Sequence, residues 1–246
     1  MLGVYGNTPF MDLSLRLHGA GFYNFSPEAI RALREPTPGV LLERDGRNLA
    51  SVVESFRDID RDAMIRVQAY LSSIVDEVEG FKVVHYGEYE TIRFLLRSGG
   101  GKPFALDAAS MSDGTLRALA ALVAAFQIQL PFGPSVVGIE EPETALHPAA
   151  MRALVDALDE ATERTQILLT THSADLLAER SLHPSQVLVV RNREGQTQIT
   201  PVDAASREII EKGLYSLADL QRQDLLDLDE TDLQRQAFER STSERS

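Results

Sequence analysis

From residue 112 onward the chain alternates two patterns that are compatible with very few architectures. Short, continuous, β-branched-rich runs at 135–139, 166–170 and 186–190 are separated by helical stretches at 112–129, 148–164 and 174–179. A strand that is apolar throughout is buried on both faces, and strands spaced by amphipathic helices are joined by crossovers. The pattern predicts an α/β fold with a parallel sheet and helices packed on it. A turn at 193–196 then leads into an edge strand over 198–202.

The residues before this series follow a different plan. Positions 1–26 show no clean period. Ser26 followed by Pro27 predicts the cap and first residue of a short helix, which runs into the turn-rich 35–39. Asn48 is placed to cap a helix through Leu49, Val52, Val53 and Phe56. From 60 to 79 the apolar residues Met64, Val67, Leu71, Ile74, Val75 and Val78 recur every three or four positions, predicting one long amphipathic helix closed by Gly80. Three β-type runs at 81–86, 91–97 and 103–106 predict an antiparallel meander.

Composition narrows the function classes. The 246 residues include no cysteine, so disulfides, thiolate catalysis and zinc-cysteine sites are excluded. A net charge of −13 argues against a broad phosphate-neutralising surface, leaving a local basic stripe, or contact with nucleic acid through another region, as the open routes to nucleic acid. No apolar run approaches the roughly eighteen residues a membrane span needs, and the first residues lack a basic and then apolar leader pattern. The expectation is a cytoplasmic protein without membrane contact. Asp219, Asp224, Asp227, Asp229, Glu230 and Asp232 crowd the last stretch, which reads as an acidic, solvated tail over 218–246.

In an open parallel sheet, ligands bind outside the carboxyl ends of the strands. The run at 135–139 is followed by Glu140, Glu141, Pro142 and Glu143, and the run at 166–170 by Thr171, His172 and Ser173. Adjacent carboxylates at such a point can divide labour, one holding Mg²⁺ and one orienting or deprotonating a water, while a histidine on the neighbouring strand donates to a phosphate oxygen. Taken alone, paired glutamates are more often solvated charges capping a strand, and His172 alone is no more than an ordinary polar loop residue. Ser112-Asp113-Gly114-Thr115 opens a long helix, whose free N–H groups favour an anion, and Ser112 or Asp113 can instead simply cap it.

Order and spacing join these features. Ser112-Asp113-Gly114-Thr115, then Glu140-Glu141-Pro142-Glu143-Thr144 running to Pro148, then Thr171-His172-Ser173 resembles the signature, Walker B with D-loop, and histidine-switch series of ABC-type ATPases. More narrowly, it is similar to the RecF- and OLD-like branch of AAA-type ATPases, over about residues 105–202. The stretch from Asp45 to Ser51 more weakly resembles that branch's insertion between ATPase lobes. The resemblance implies a P-loop NTPase-like (ABC ATPase-type) lobe over 105–217, preceded by a helical and β-meander region over 1–104. By it, Glu140 helps hold Mg²⁺, Glu141 is the general base, His172 senses the γ-phosphate of ATP, and Ser112, Gly114 and Thr115 complete the nucleotide site of a second subunit. Residues 144–148 would lie at the dimer contact, with His147 packing the loop.

One part of that series is missing. A phosphate loop needs G-x-x-x-x-G-K-[ST], whose N–H groups and lysine cradle the phosphates. Gly99-Gly100-Gly101-Lys102-Pro103 has Leu96 at the first glycine position and proline at the hydroxyl position, so it reads as a hairpin turn. The family's glutamine loop is not located. The expectation is an ATP-binding and ATP-hydrolysing module, incomplete or inactive alone, whose Walker A lobe comes from elsewhere, in a homodimer or with a partner chain. A non-hydrolytic interaction module and a metal-dependent phosphoesterase are the alternatives.

Overall fold

The structure, a computed structural model, describes residues 19–37, 41–98, 101–127, 133–179 and 182–243. It groups into two compact units divided between His172 and Ser173. The expectations at 1–18, the glycines at 99 and 100, and the helical positions 128 and 129 lie outside the described residues.

The first unit holds a three-stranded parallel sheet in the order β1-β5-β6, with β1 at Ala20–Tyr23, β5 at Val136–Glu140 and β6 at Gln166–Thr170. The fold class expected from the sequence, α/β with a parallel sheet, is the one observed. The strand β1 carries no recognisable sequence signal, being four residues long with one fully buried position, Tyr23. That tyrosine is fixed by tertiary contacts. Its hydroxyl accepts from Gln127 Nε2 at 2.7 Å, Gln127 Oε1 accepts from the Leu42 amide at 2.8 Å, and burial pushes the phenol up to about 12.

Local chemistry sets the elements around the sheet. Helix α1 (Pro27–Arg31) starts as expected, with Ser26 Oγ accepting from the Ala29 amide. Helix α2 (Leu49–Ile59) follows Asn48, whose side chain does not cap it. Asn48 instead accepts from the Glu43 amide and donates to the Leu41 carbonyl, tying the preceding loop. Helix α3 (Arg61–Ile74) is capped by Asp60 and ends five residues earlier than the apolar stripe predicts. Val75 turns extended, and the buried Val78 begins β2 (Val78–Tyr86), so the last stripe position is buried by a sheet and not by a helix. β2, β3 (Tyr89–Leu96) and β4 (Phe104–Asp107) form the expected antiparallel meander.

Helix α4 (Asp113–Phe126) is buried on nearly every side, from Leu116 through Leu119 and Leu122 to Phe126, which is the signature of a central core helix. One apolar cluster joins it to α2, α3, the meander, the sheet and α5 (Met151–Thr162). This continuity explains why the compact units do not divide at 104/105: meander residues Ile92 and Phe94 share a core with α4.

The second unit contains α6 (Ala174–Leu177), the hairpin β7 (Leu188–Arg193) and β8 (Gln196–Pro201), α7 (Ala204–Glu211), α8 (Leu217–Arg222) and α9 (Glu230–Ser243). The expected strand at 186–190 is shifted and pairs antiparallel with β8, where the sequence pattern placed it in the parallel series. The acidic end is also not a plain tail. Leu217, Leu220, Leu226 and Leu228 are buried with Val189 and Val202 in a second apolar cluster. Charge density hid a leucine spacing that buries one side of the segment.

Candidate functional site at the strand ends

Three strand ends of the parallel sheet converge on carboxylates. Register pairs Tyr23 with Ile139 and Glu140 with Thr170, so the residues just after β1, within and after β5, and after β6 face one another. Asn24 Nδ2 donates to Glu140 Oε2 at 2.7 Å. Glu141 follows with its amide donating to the Thr170 carbonyl at 3.0 Å and its Oε2 accepting from the Thr144 hydroxyl at 3.1 Å. His172 Nε2 stands 3.9 Å from Glu141 Oε1, and its ring is almost wholly exposed. Glu140, Glu141 and His172 therefore lie at one open edge of the sheet.

The backbone there is strained. Glu141 has φ 42° and Ala145 φ 67°, both in the left-handed region that residues with a Cβ disfavour. Two such residues within five positions are characteristic of functional loops, where packing holds a conformation the chain would not choose. Glu143 contributes to that packing: it is buried, accepts from the Thr171 hydroxyl, and keeps Oε2 without a partner. It thereby joins the β5 and β6 loops.

Ser112, Gly114 and Thr115 lie elsewhere, at the start of α4. Ser112 Oγ accepts from the Thr115 amide at 3.2 Å and lies 2.7 Å from the Thr115 hydroxyl, so its structural use is the helix cap. Gly114 is present because a Cβ there would overlap the Ala145 carbonyl oxygen, and its absence lets the helix start press on the 144–148 loop. These residues, with Ala145, Leu146 and His147, line a cavity of about 480 Å³. His147 Nδ1 accepts from the Ala149 amide, the loop-packing role expected for it.

Two contributors were missed from sequence. Asn24 sits at the end of the unrecognised β1, so nothing marked it. Arg31 pairs with Asp113 and donates to the Met111 carbonyl at 2.7 Å, so a guanidinium offsets the one acidic group at the helix start. Its only sequence signal was a basic residue on a short helix far upstream.

The donors at the strand ends are carboxylate oxygens, an amide and an imidazole, a set that suits a hard divalent cation and phosphate oxygens. The fold and the site together are those of an α/β domain with acidic residues at the carboxyl edge of its parallel sheet. Residues 4–179 match the family described as "AAA domain, putative AbiEii toxin, Type IV TA system", and the chain belongs to that family. No curated protein matches it in sequence. Among solved structures it is similar to an SMC ATPase described for ATP-driven dimerisation and DNA-stimulated activation, at 14% identity and TM-score 0.45 over 67% of this chain and 98% of the other. It is also similar to the Smc head of Pyrococcus yayanosii with its coiled coil and joint (14%, TM-score 0.44, 67% of this chain, 34% of that one). A third is the Pyrococcus furiosus Smc head bound to the C-terminal domain of ScpA (12%, TM-score 0.46, 67% and 39%). The chain thus spans 34% and 39% of the length of the two Pyrococcus structures. No helix among the described residues is long and apolar enough to cross a membrane.

Proposed function

We propose that this chain is the hydrolytic half of an ATPase whose phosphate loop is supplied by another segment or chain, with hydrolysis coupled to dimerisation. The observation that carries the reading is the convergence of Asn24, Glu140, Glu141 and His172 at the carboxyl edge of a parallel sheet, with Glu141 held at positive φ.

In this reading Glu140, oriented by Asn24, offers a carboxylate oxygen to Mg²⁺, and Glu141, oriented by Thr144, accepts the proton of the attacking water. His172 donates to a phosphate oxygen. Bound Mg²⁺ would supply charge neutralisation for the phosphates. Ser112, Gly114 and Thr115 would serve the nucleotide of a second subunit, with the strained 144–148 loop between the two groups of residues. ATP use accords with the expected cytoplasmic setting.

A second feature supports completion from outside. Register places Phe22, Gly138 and Leu168 side by side on one face of the sheet, with the Phe22 ring lying over Gly138 in the space a Cβ would need. Phe22 is 58% and Leu168 45% exposed, whereas Val137 and Ile139 on the opposite face are buried. Parallel sheets are normally covered on both faces. Among the described residues no second layer covers this face, which fits a further layer.

The test is ATP turnover with Mg²⁺, by the purified chain alone and after addition of a phosphate-loop lobe. Little or no turnover alone and restored turnover with the lobe is the expected outcome. Micromolar ATP binding with steady hydrolysis by these 246 residues alone would overturn the split site.

A further inference from the structure

A second cluster of ligating groups lies in the meander region. His85 on β2 and Glu90 on β3 are direct cross-strand partners, and Glu54 reaches them from α2. One ligand atom from each of Glu54, His85 and Glu90 lies within 4.8 Å of the others. Glu90 is 3% exposed, an unusual place for a carboxylate.

The hydrogen bonding around Glu90 is only half complete. Ser51, one turn before Glu54 on α2, donates its hydroxyl to Glu90 Oε1 and accepts from the Thr37 amide at 2.9 Å. The Glu90 backbone is fixed on its free edge by exchange with Arg34, whose carbonyl accepts from the Glu90 amide at 2.7 Å. Glu90 Oε2 remains buried without a partner. A buried carboxylate oxygen left unsatisfied is unfavourable unless something neutralises it.

The contact beside it is compatible with a shared cation. His85 Nε2 and Glu54 Oε1 are 3.4 Å apart, long for a hydrogen bond. Two donors about 2.0–2.2 Å from a tetrahedral ion stand about 3.4 Å apart. His85 and Glu54 are partly exposed, so an ion can enter from solvent and keep a water as its fourth ligand.

We propose that Glu54, His85 and Glu90 form a divalent metal site, one imidazole nitrogen and two carboxylates, suited to a borderline transition ion such as Zn²⁺ rather than to Mg²⁺. The ion would neutralise Glu90 and clip the β2-β3 hairpin to α2. It is separate from the strand-end carboxylates and does not depend on ATP hydrolysis.

The test uses the full chain stripped with a chelator, dialysed against Zn²⁺, and analysed for metal per chain; Co²⁺ loading adds a visible spectrum sensitive to the histidine. The wild type should retain an ion that His85→Gln and Glu54→Gln lose, with the Co²⁺ absorption lost in parallel and circular dichroism unchanged. Melting temperature should rise with Zn²⁺ in the wild type and in His172→Ala, and not in His85→Gln. Absence of bound metal in the wild type, equal metal in His85→Gln, or loss of the ion in His172→Ala alone would overturn the proposal. The last result would assign the ion to the strand ends.

Discussion

The two compact units bury their side chains on different terms. In the first, α4 is enclosed by apolar neighbours, and Phe56, Leu71, Leu116, Leu122 and Val137 are fully buried in one continuous cluster. In the second, a small apolar cluster is accompanied by ion pairs: Arg191 with Asp224 at 2.6 Å, Arg193 with Asp227 at 3.0 Å, Arg207 with Asp229 at 2.8 Å and Arg222 with Asp175 at 2.9 Å. Apolar burial is nearly indifferent to pH and strengthened by kosmotropic salts, whereas exposed ion pairs are weak, screened and titratable. The first unit should therefore be the rigid platform that strained loops at Glu141 and Ala145 require. The second should respond to solution conditions.

The sharpest way to break that contrast is a cavity in the larger core. Phe56→Ala should cost about 3–5 kcal/mol, because the ring is fully enclosed and its surroundings can relax only in part. Urea unfolding followed by the fluorescence of an added probe or by circular dichroism measures it. A loss below about 1 kcal/mol would mean that the cluster is looser than its burial implies.

Next in size is the chemistry that the platform holds. In a preparation reconstituted with a phosphate-loop lobe, Glu141→Gln should lower ATP turnover at least about a hundredfold, equivalent to about 2.7 kcal/mol in the barrier, while nucleotide-bound dimer accumulates. Turnover near wild type would remove Glu141 from the general-base role. Glu140→Gln should instead shift the Mg²⁺ dependence. Asn24→Ala should do the same more weakly, since Asn24 acts only through Glu140.

Part of this arrangement was legible in the sequence and part was not. The strands carrying Glu140 and Thr170 stood out because a continuous apolar run that ends in a polar cluster points to a strand reaching the sheet edge, although β6 keeps no buried residue where its apolar run predicts burial on both faces. Strand β1 did not, since four residues of mixed exposure have no period, and Asn24 stayed hidden with it. The stripe through Val78 misled because burial at a three-to-four spacing does not distinguish the last turn of a helix from the first residue of a strand. The partner of Asp113 was out of reach of a local pattern as well, because Arg31, which pairs with it, is distant in sequence. The metal cluster was invisible for the same reason: Glu54, His85 and Glu90 are brought together by a hairpin register and a helix docking that no local pattern encodes.

A smaller effect is expected where the α4 start meets the 144–148 loop. Gly114→Ala drives a Cβ into a backbone carbonyl that cannot swing aside, so the helix start or the loop must shift, at about 1–3 kcal/mol. Thermal unfolding reads the cost. Loss of ATP-driven dimerisation in light scattering, at a temperature where the variant remains folded, would show that the loop's position matters beyond stability.

The smallest effect tests the second unit directly. The Asp227 carboxylate is held below the usual range by the Leu228 amide it accepts from and then by the Arg193 guanidinium, and Asp219 is lowered by the Ser216 hydroxyl and amide. A folded-state value below the unfolded one gives stabilisation that is complete above the unfolded value, near about 4, and is lost as pH falls through the folded value. The Arg193 and Asp227 pair is largely exposed and screened by solvent, so its share is small. Asp107 in the first unit is lowered the same way by Arg93, yet the meander it anchors also rests on Ile92 and Phe94 in the main core. Hydrogen exchange between about pH 5 and about pH 2.5 should therefore show the β7-β8 hairpin amides losing protection before those of α4, and added salt at about pH 5 should weaken the hairpin in the same sense. Asp227→Asn should flatten the acid step in the hairpin. Equal loss of protection in α4 and the hairpin at every pH would mean that ion pairing does not set the difference between the units, and that the leucines around Leu228 carry the second unit as apolar burial carries the first.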